Sequence, residues 1–208
     1  PPSFAAKWLV PRLAAFQLAH PDIDLDIFAS ETKAELGKTA DMAVRQGPTP
    51  SDPGVEAMLL APLNLCAVAS PSLASQIGPQ SEVAALMAHP LIQDGHHHWE
   101  KLMANASLPN RPRVLHFNQT ALAMDAAANG QGIALVPRLY LQGIGDKLVQ
   151  LWPSTGSKTP CFVPPGFANP DFEAHGFHIL WSRGQTLSPA AILLRDWLLA
   201  QVEMPTPT

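Results

Sequence analysis

The sequence predicts an α/β protein with two lobes that are built on parallel sheets, and three observations lead to this prediction. Segments with strand periodicity alternate with segments of helical periodicity along most of the 208 residues. Two such alternating sets follow one another, and a late strand (177–181) and a late helix (189–202) come after them. Alternating strands and helices are typical of an α/β fold. The late elements indicate that the chain crosses between the lobes more than once.

Composition narrows the class of protein further. The chain is 47% hydrophobic and 14% charged, whereas a typical soluble domain is ~25% charged, so intrinsic disorder is excluded. No apolar run reaches the ~18 residues that a membrane-spanning helix needs. The 13 basic and 17 acidic residues give a formal net charge of −4 without a basic cluster. This balance argues against nucleic-acid binding by the chain itself.

The first set of elements begins with a helix. Ser3 is placed to cap this helix, Pro11 suits the first turn of a renewed helix, and His20 precedes a proline that ends it. Apolar residues alternate with three aspartates in 22–29, which predicts a strand with one solvent-exposed face. The remaining expected elements are a short helix at about 31–37 and strands at 41–45, where Arg45 is the last residue, 55–60 and 63–69.

The second set repeats the alternation. Its expected elements are helices at 70–74 and 81–87, a strand at 113–117, a helix at 119–129, a strand at 133–136, a helix that starts at Pro137, and a strand at 148–151. Gly130 supplies the glycine stop of the helix at 119–129. The stretch 153–175 is rich in proline and glycine, and we expect it to be irregular.

Two groups of histidines are candidate metal ligands, but their spacing does not favour a metal site. His96, His97 and His98 are consecutive, so their side chains point in divergent directions. We interpret them as a loop at the surface or at the rim of a cleft, with contact to a ligand as the alternative. His175 and His178 are better spaced but straddle the junction of a loop and a strand. The sequence therefore predicts no metal and no cofactor.

Motifs of the common catalytic and nucleotide-binding sites are missing. The sequence has no GxxxxGK[ST], GxSxG or HExxH motif. The GlyIleGly at 143–145 lacks a third glycine, and the aspartates of 22–26 lack the later ligands of a calcium loop. Cys66 and Cys161 lie in apolar surroundings and are interpreted as buried thiols of a reducing compartment, while a pairing between them stays open. These observations argue against an enzyme.

Polar groups remain at the helix starts and strand ends, which is where open α/β sheets bind ligands. Helix starts carry free N–H groups and a partial positive charge that suit carboxylates. We expect such starts at Ser3 and at 118–120, although each hydroxyl there is alternatively a plain N-cap. Arg45 is either the partner of an anionic ligand or bonded to Asp41 or Glu31. The pattern favours a small anionic ligand.

Three stretches carry a resemblance through their order and spacing: residues 3–25, the AspMetAlaValArgGlnGly of 41–47, and residues 117–138. Together they resemble the effector-binding domain of LysR-type transcriptional regulators, in the branch of the glycine-cleavage and β-lactamase activators. The resemblance covers 3–151 and 177–202. It implies two Rossmann-like lobes joined by two crossover strands, as in periplasmic solute-binding proteins, with a small molecule bound between the lobes.

The resemblance also assigns domains and candidate ligand residues. One lobe is expected to comprise 1–69 and 176–208, and the other 70–175. The family's N-terminal winged helix-turn-helix, which binds DNA, is absent from this chain, and the strand that normally precedes the first helix is missing before Ser3. The residues at the family's ligand positions are Ser3, Phe4, Ala29, Ser30, Arg45, Gly47, Asn118, Gln119, Thr120 and Pro137.

The sequence thus predicts the ligand-sensing domain of a cytoplasmic bacterial transcription regulator, not an enzyme. We expect it to bind a small anionic effector, to form a homodimer or tetramer, to reach DNA only through the missing N-terminal domain, and not to contact a membrane. A solute-binding protein of a transport system is the alternative, because it shares the fold and differs in carrying a secretory signal upstream. A second alternative is a small hydrolase that uses the histidine cluster, and such an enzyme would contain a bound metal.

Overall fold

The computed structural model describes residues 1–78, 83–104, 112–153 and 175–203, which fall into two compact units. Unit 1 contains the described residues up to Leu63 and those from His175 onward, and unit 2 contains those from Asn64 to Pro153. The α/β class is confirmed. The division falls at Leu63, whereas the resemblance places the boundary at 69, because the strand that follows Asn64 pairs within the sheet of unit 2.

Unit 1 begins with a continuous helical stretch. It consists of α1 (Pro2–Phe4), a π-helical segment (Ala5–Leu9) and α2 (Val10–Ala19). Pro11 lies in the first turn of α2, and the helix ends before His20, as the sequence predicts. Ser3 is not the cap of the first helix, because that helix already starts at Pro2.

The sheet of unit 1 is antiparallel and depends on the late strand. Its strands are β1 (Ala43–Pro48), β2 (Val55–Pro62) and β8 (His175–Ser182), in the order β1-β8-β2. Val44 and Met58 both lie opposite Ile179, which is completely buried. The late strand is confirmed, but the expectation of a parallel sheet is wrong for this unit, since β8 runs against both neighbours. The long helix α7 (Pro189–Glu203) follows β8.

Residues 22–29 do not form the expected strand. Within the described part of the chain they pair with no other strand, and Phe28 is 84% exposed. The alternation of apolar and polar residues specifies which face of a strand is exposed to solvent. A strand also requires a partner for its backbone N–H and C=O groups. The helix expected at about 31–37 is also absent, and that segment holds turns and one isolated bridge between Leu36 and Ala40.

Unit 2 is built on a mixed five-stranded sheet in the order β5-β4-β6-β3-β7. Its strands are β3 (Leu65–Ala69), β4 (Leu91–Gln93), β5 (Val114–His116), β6 (Ile133–Pro137) and β7 (Val149–Trp152). β4 runs parallel to β5 and β6, whereas β3 is antiparallel to β6 and β7. Every residue of β3 and β6 is buried, Cys66 among them, as their apolar sequences predict. Cys161 lies outside the described residues, as does most of the stretch 153–175.

Helices flank this sheet. They are α3 (Pro71–Ile77), α4 (Val83–Leu86), α5 (His98–Ala104) and α6 (Thr120–Ala128). Gly130 follows α6 with φ +77°, a conformation that favours glycine, so the predicted glycine stop is confirmed. Pro137 does not start an α-helix; it ends β6 and is followed by the 3-10 turn Arg138–Leu141. None of the described helices is long and apolar enough to cross a bilayer.

Candidate functional site

Arg45 organises one candidate site in unit 1, which we call the Ser30–Arg45 corner (Ser30, Glu31, Thr32 and Arg45). Its guanidinium donates hydrogen bonds to the backbone carbonyls of Ser30, at 3.3 Å, and of Glu31, at 3.5 Å. A further hydrogen bond joins Arg45 Nη2 to the carbonyl of Thr32. Arg45 lies within β1 and not at its end, because the strand continues to Pro48. The side chain therefore fastens the 30–32 loop to β1.

This arrangement corrects the simpler expectation for Arg45. The ion pairs of the described residues include none between Arg45 and either Asp41 or Glu31. Its partners are neutral carbonyls, which orient the guanidinium without neutralising its charge. Ser30 Oγ meanwhile accepts a hydrogen bond from the N–H of Thr32 at 3.0 Å, so this hydroxyl closes a local turn.

A cavity of about 810 Å³ lies within unit 1 beside this corner. Four of the predicted ligand residues line it: Phe4, Ala29, Ser30 and Arg45. The rest of its wall comes from the helical stretch that begins unit 1, from residues between 23 and 44, from Ile179 of β8 and from α7. This wall is largely apolar, and its charged side chains besides Arg45 are Asp24, Asp26, Lys33 and Asp41. Its volume is in the range of small-molecule pockets, ~300–1,000 Å³. Gly47 is not part of this wall; it lies farther along β1, opposite Gly176.

Ser3 and Phe4 belong to the core of unit 1. Ser3 is 6% exposed, and Phe4 is 2% exposed. The ring of Phe4 stacks on Trp8 with centroids 5.1 Å apart, and it lies 5.8 Å from the ring of Phe177. These contacts give Phe4 a structural role in joining the first helix to β8.

A second candidate site lies in unit 2, where the carboxyl end of β4 meets the start of α6. We call it the Asp94–Thr120 corner (Gln93, Asp94, Gly95, Asn118 and Thr120). The hydroxyl of Thr120 donates to Asp94 Oδ2 at 2.6 Å, and Asp94 Oδ1 accepts from the N–H of His96 at 3.0 Å. Asp94 is 4% exposed and Thr120 is 2% exposed. The predicted start of α6 is confirmed, with Gln119 as an N-cap that makes no side-chain capping bond.

The backbone around Asp94 is held by further contacts. Gln93 Oε1 accepts from the N–H of Glu100 at 3.1 Å, and Gln93 Nε2 donates to the carbonyl of Asp94 at 2.8 Å. Gly95 packs so closely that a Cβ at this position would lie 2.7 Å from the carbonyl oxygen of Asn118. Only glycine therefore fits there, and the loop after β4 is tied to the residues before α6.

Gln93 and Asp94 were missed by the sequence analysis. The strand β4 has only three residues, Leu91–Gln93, which is too short to show periodicity. A usable signal was present nonetheless, because Gln93, Asp94 and Gly95 directly follow the apolar pair Leu91 and Ile92. Pro137, the remaining predicted residue, is buried at the end of β6 and lies opposite Leu65.

The three consecutive histidines occupy different environments. His97 Nδ1 lies 2.8 Å from Glu100 Oε2, and the backbone of His97 has φ +58°. His98 is 3% exposed at the start of α5, and its ring stacks on His96 with centroids 5.5 Å apart. Within the ranges that the structure describes, no three His, Cys, Asp or Glu side chains are grouped to hold a metal ion.

His178 is buried within the sheet of unit 1. It is 3% exposed, and its Nε2 lies 3.4 Å from Thr49 Oγ1. Burial lowers the pKa of the His178 imidazole, an effect that a backbone hydrogen bond at Gly176 opposes and that the charge of His175 reinforces.

This lowered pKa predicts acid sensitivity of unit 1. Below pH ~6.5 the unfolded state binds a proton at His178 that the folded state does not yet bind, so the free energy of unfolding falls as the pH drops. Urea unfolding between pH 7.5 and pH 5 should show this decline in the unmutated chain and a smaller decline in His178→Gln. His116→Gln, an exposed histidine of unit 2, should retain the full decline; an unchanged pH profile in His178→Gln would contradict the assignment.

Thr120→Val tests the Asp94–Thr120 bond. The substitution keeps the shape of the side chain but leaves Asp94 Oδ2 without its hydroxyl donor. Because an unsatisfied buried acceptor costs ~1–3 kcal/mol, we expect a loss of that size in the free energy of unfolding, measured by urea denaturation. Thr39→Val, at an exposed threonine whose hydroxyl bonds only the backbone of Glu35, is the control and should change stability by much less.

Comparison with known proteins places the chain in a family. The LysR substrate binding domain family matches residues 1–203. The glycine cleavage system transcriptional activator of Escherichia coli (strain K12) is 33% identical over 146 residues, which are 68% of this chain and 47% of that protein. The HTH-type transcriptional regulator PerR of the same strain is 29% identical over 210 residues, or 98% of this chain and 65% of that protein.

Solved structures show the same fold. The effector domain of the transcriptional regulator AmpR of Pseudomonas aeruginosa has a TM-score of 0.66 at 24% identity, covering 96% of this chain and 90% of that one. The AmpR effector binding domain from Citrobacter freundii has a TM-score of 0.70 at 21% identity, covering 96% and 94%.

The named relatives are transcriptional regulators and not enzymes, and they lend no support to the transport alternative. The chain spans about half the length of the first curated relatives that it matches. The family match over nearly the whole chain, together with the two-unit α/β fold, shows that the chain belongs to the LysR substrate-binding domain family.

Proposed function

We propose that this chain is the effector-sensing part of a cytoplasmic bacterial transcription regulator. The observation that carries the proposal is the family match over residues 1–203, which includes every residue of both corners. DNA contact then belongs to an N-terminal domain outside these residues, in keeping with the net charge of −4 and the lack of a basic cluster. The effector acts by binding one conformation of the regulator better than another and so shifting their populations.

The effector carries an anionic group that binds at the Ser30–Arg45 corner. Arg45 supports this assignment because its three carbonyl partners fix the guanidinium in place while its full positive charge remains. Its five N–H groups also exceed the three hydrogen bonds that it donates to the loop. A carboxylate paired with a guanidinium of this kind contributes ~1.5–3 kcal/mol to binding.

Arg45→Gln tests the anionic group. We expect a thermal-shift screen of small carboxylic acids to identify a ligand, and Arg45→Gln to weaken its affinity about tenfold or more, measured by titration calorimetry on the folded fraction. The affinity for the amide of the same ligand should change little in Arg45→Gln, because the amide lacks the negative charge that Arg45 recognises.

Arg183→Gln is the matched control, since this exposed arginine pairs with Glu56 at 2.8 Å and lies outside the corner. Equal affinity of the unmutated chain for the acid and for its amide would reject an anionic contact. Failure of every carboxylic acid in the screen to bind would likewise reject the anionic effector.

We also propose that the chain forms a homodimer through α2 and the segment 22–29, the elements that pack against another subunit in regulators of this type. In support, unit 1 exposes large apolar side chains on these elements: Val10 is 56% exposed, and Leu18 and Phe28 are each 84% exposed. Such side chains gain ~1.5–3 kcal/mol each when they are buried.

Phe28→Asp should shift the chain from dimer to monomer in sedimentation velocity experiments. Because a buried charge replaces buried apolar area, the dissociation constant should rise at least about tenfold. Leu193→Asp, a half-exposed position on α7, should leave the dimer intact. An unmutated chain that stays monomeric up to ~100 µM would contradict the proposed dimer.

A further inference from the structure

We propose that Asp94 makes the Asp94–Thr120 corner a binding site for a positively charged or hydrogen-bond-donating group of the effector, such as an ammonium group. The inference rests on the proposed effector-sensing function and concerns unit 2 by itself. It assigns a role to a carboxylate that the sequence analysis did not single out.

The carboxyl group of Asp94 is buried without a cationic partner among the described residues. Its side chain is 4% exposed, yet none of the ion pairs formed by the described residues includes it. Removing an ionised carboxylate from water is costly, so buried carboxylates are ordinarily paired with a cation. A cationic group of the ligand would supply the missing partner.

The contacts that Asp94 does make leave acceptor positions of its carboxyl group unused. Both donors, the hydroxyl of Thr120 and the backbone N–H of His96, are neutral groups. They occupy two of about four acceptor positions on the carboxylate. The start of α6 adds only a fraction of a positive charge. The corner therefore remains negative and keeps capacity to accept further hydrogen bonds.

The backbone of the corner is also preorganised. The side chain of Gln93 fixes the backbone from Asp94 onward, because it donates to the Asp94 carbonyl and accepts from the N–H of Glu100. Gly95 is pressed against the carbonyl of Asn118, and the exposed residues Gly95 and Asn118 form the solvent side of the corner. A ligand that meets this fixed carboxylate spends little free energy on ordering the protein.

These contacts also change the expectation for the start of α6. Thr120 donates its only hydroxyl hydrogen to Asp94, so that hydroxyl is not available as a donor to an anion. An incoming carboxylate would in addition meet the negative charge of Asp94 in surroundings that screen it poorly. The start of α6 is therefore a poor binding site for an anionic group.

Paired probes that differ only in an ammonium group test the inference. The probes are amino-acid amides and the matched N-acetyl amino-acid amides, and their affinities are measured by titration calorimetry. We expect the unmutated chain to bind amino-acid amides at least about tenfold more tightly than the acetylated partners. In Asp94→Asn this ratio should fall to about one, because the amide side chain keeps the shape and loses the charge.

A control variant at a second carboxylate of unit 2 shows whether the effect is specific to Asp94. Glu100→Gln removes an exposed carboxylate on α5 and should retain the preference for the ammonium group.

Equal affinity for the two members of each pair in the unmutated chain would overturn the inference and leave the effector-sensing function intact. A ratio that is unchanged in Asp94→Asn would overturn the role of Asp94. Binding of small carboxylic acids without binding of any amino-acid amide would also overturn the inference. Only the absence of binding by all of these compound classes would reject the effector-sensing function as well.

Discussion

The sheet of unit 1 depends on one strand that arrives late in the chain. β1 and β2 do not pair with each other; each of them pairs with β8, which lies between them. Phe177 and Ile179 of β8 are completely buried, and Phe4 of the first helix packs against Phe177. Arg45 lies opposite His178 in the same ladder, so β8 pairs with the strand that carries this arginine. The candidate site near the beginning of the chain thus depends on a strand near its end.

In unit 2, the parallel pairing of strands positions the residues of the Asp94–Thr120 corner. β4 lies between β5 and β6 and runs parallel to both, so the loops that leave β4 and β5 emerge at the same edge of the sheet. The N–H of Phe117 bonds the carbonyl of Gln93 at 2.8 Å and extends this ladder to the start of α6. Asp94 and Thr120, which are distant in sequence, meet there. The same geometry that builds the sheet therefore builds the corner, and it places the buried carboxyl group of Asp94 there.

The sequence predicted the helices and strands that are specified by the periodicity and end signals of their own residues. The apolar runs of β3 and β6, the helix α6 with its stop at Gly130, and the late strand were all identifiable from periodicity and end signals. The segment 22–29 was predicted wrongly because alternation says nothing about a partner, and β4 was missed because three residues show no period. Arg45 was recognised, but its carbonyl partners were not, since backbone acceptors leave no mark on a sequence. Asp94 was not predicted as a site residue because β4, the strand that it follows, was not predicted either.

Hydrogen–deuterium exchange of the chain with and without a saturating effector tests the central claim most directly. If the chain is an effector sensor that uses the Asp94–Thr120 corner, the ligand should slow exchange of the backbone amides in the loop after β4 and in the first turn of α6. Amides at the centre of β3, already buried and paired on both sides, should serve as the internal reference. Unchanged exchange in that loop and that turn, with the effector shown to be bound, would contradict the account.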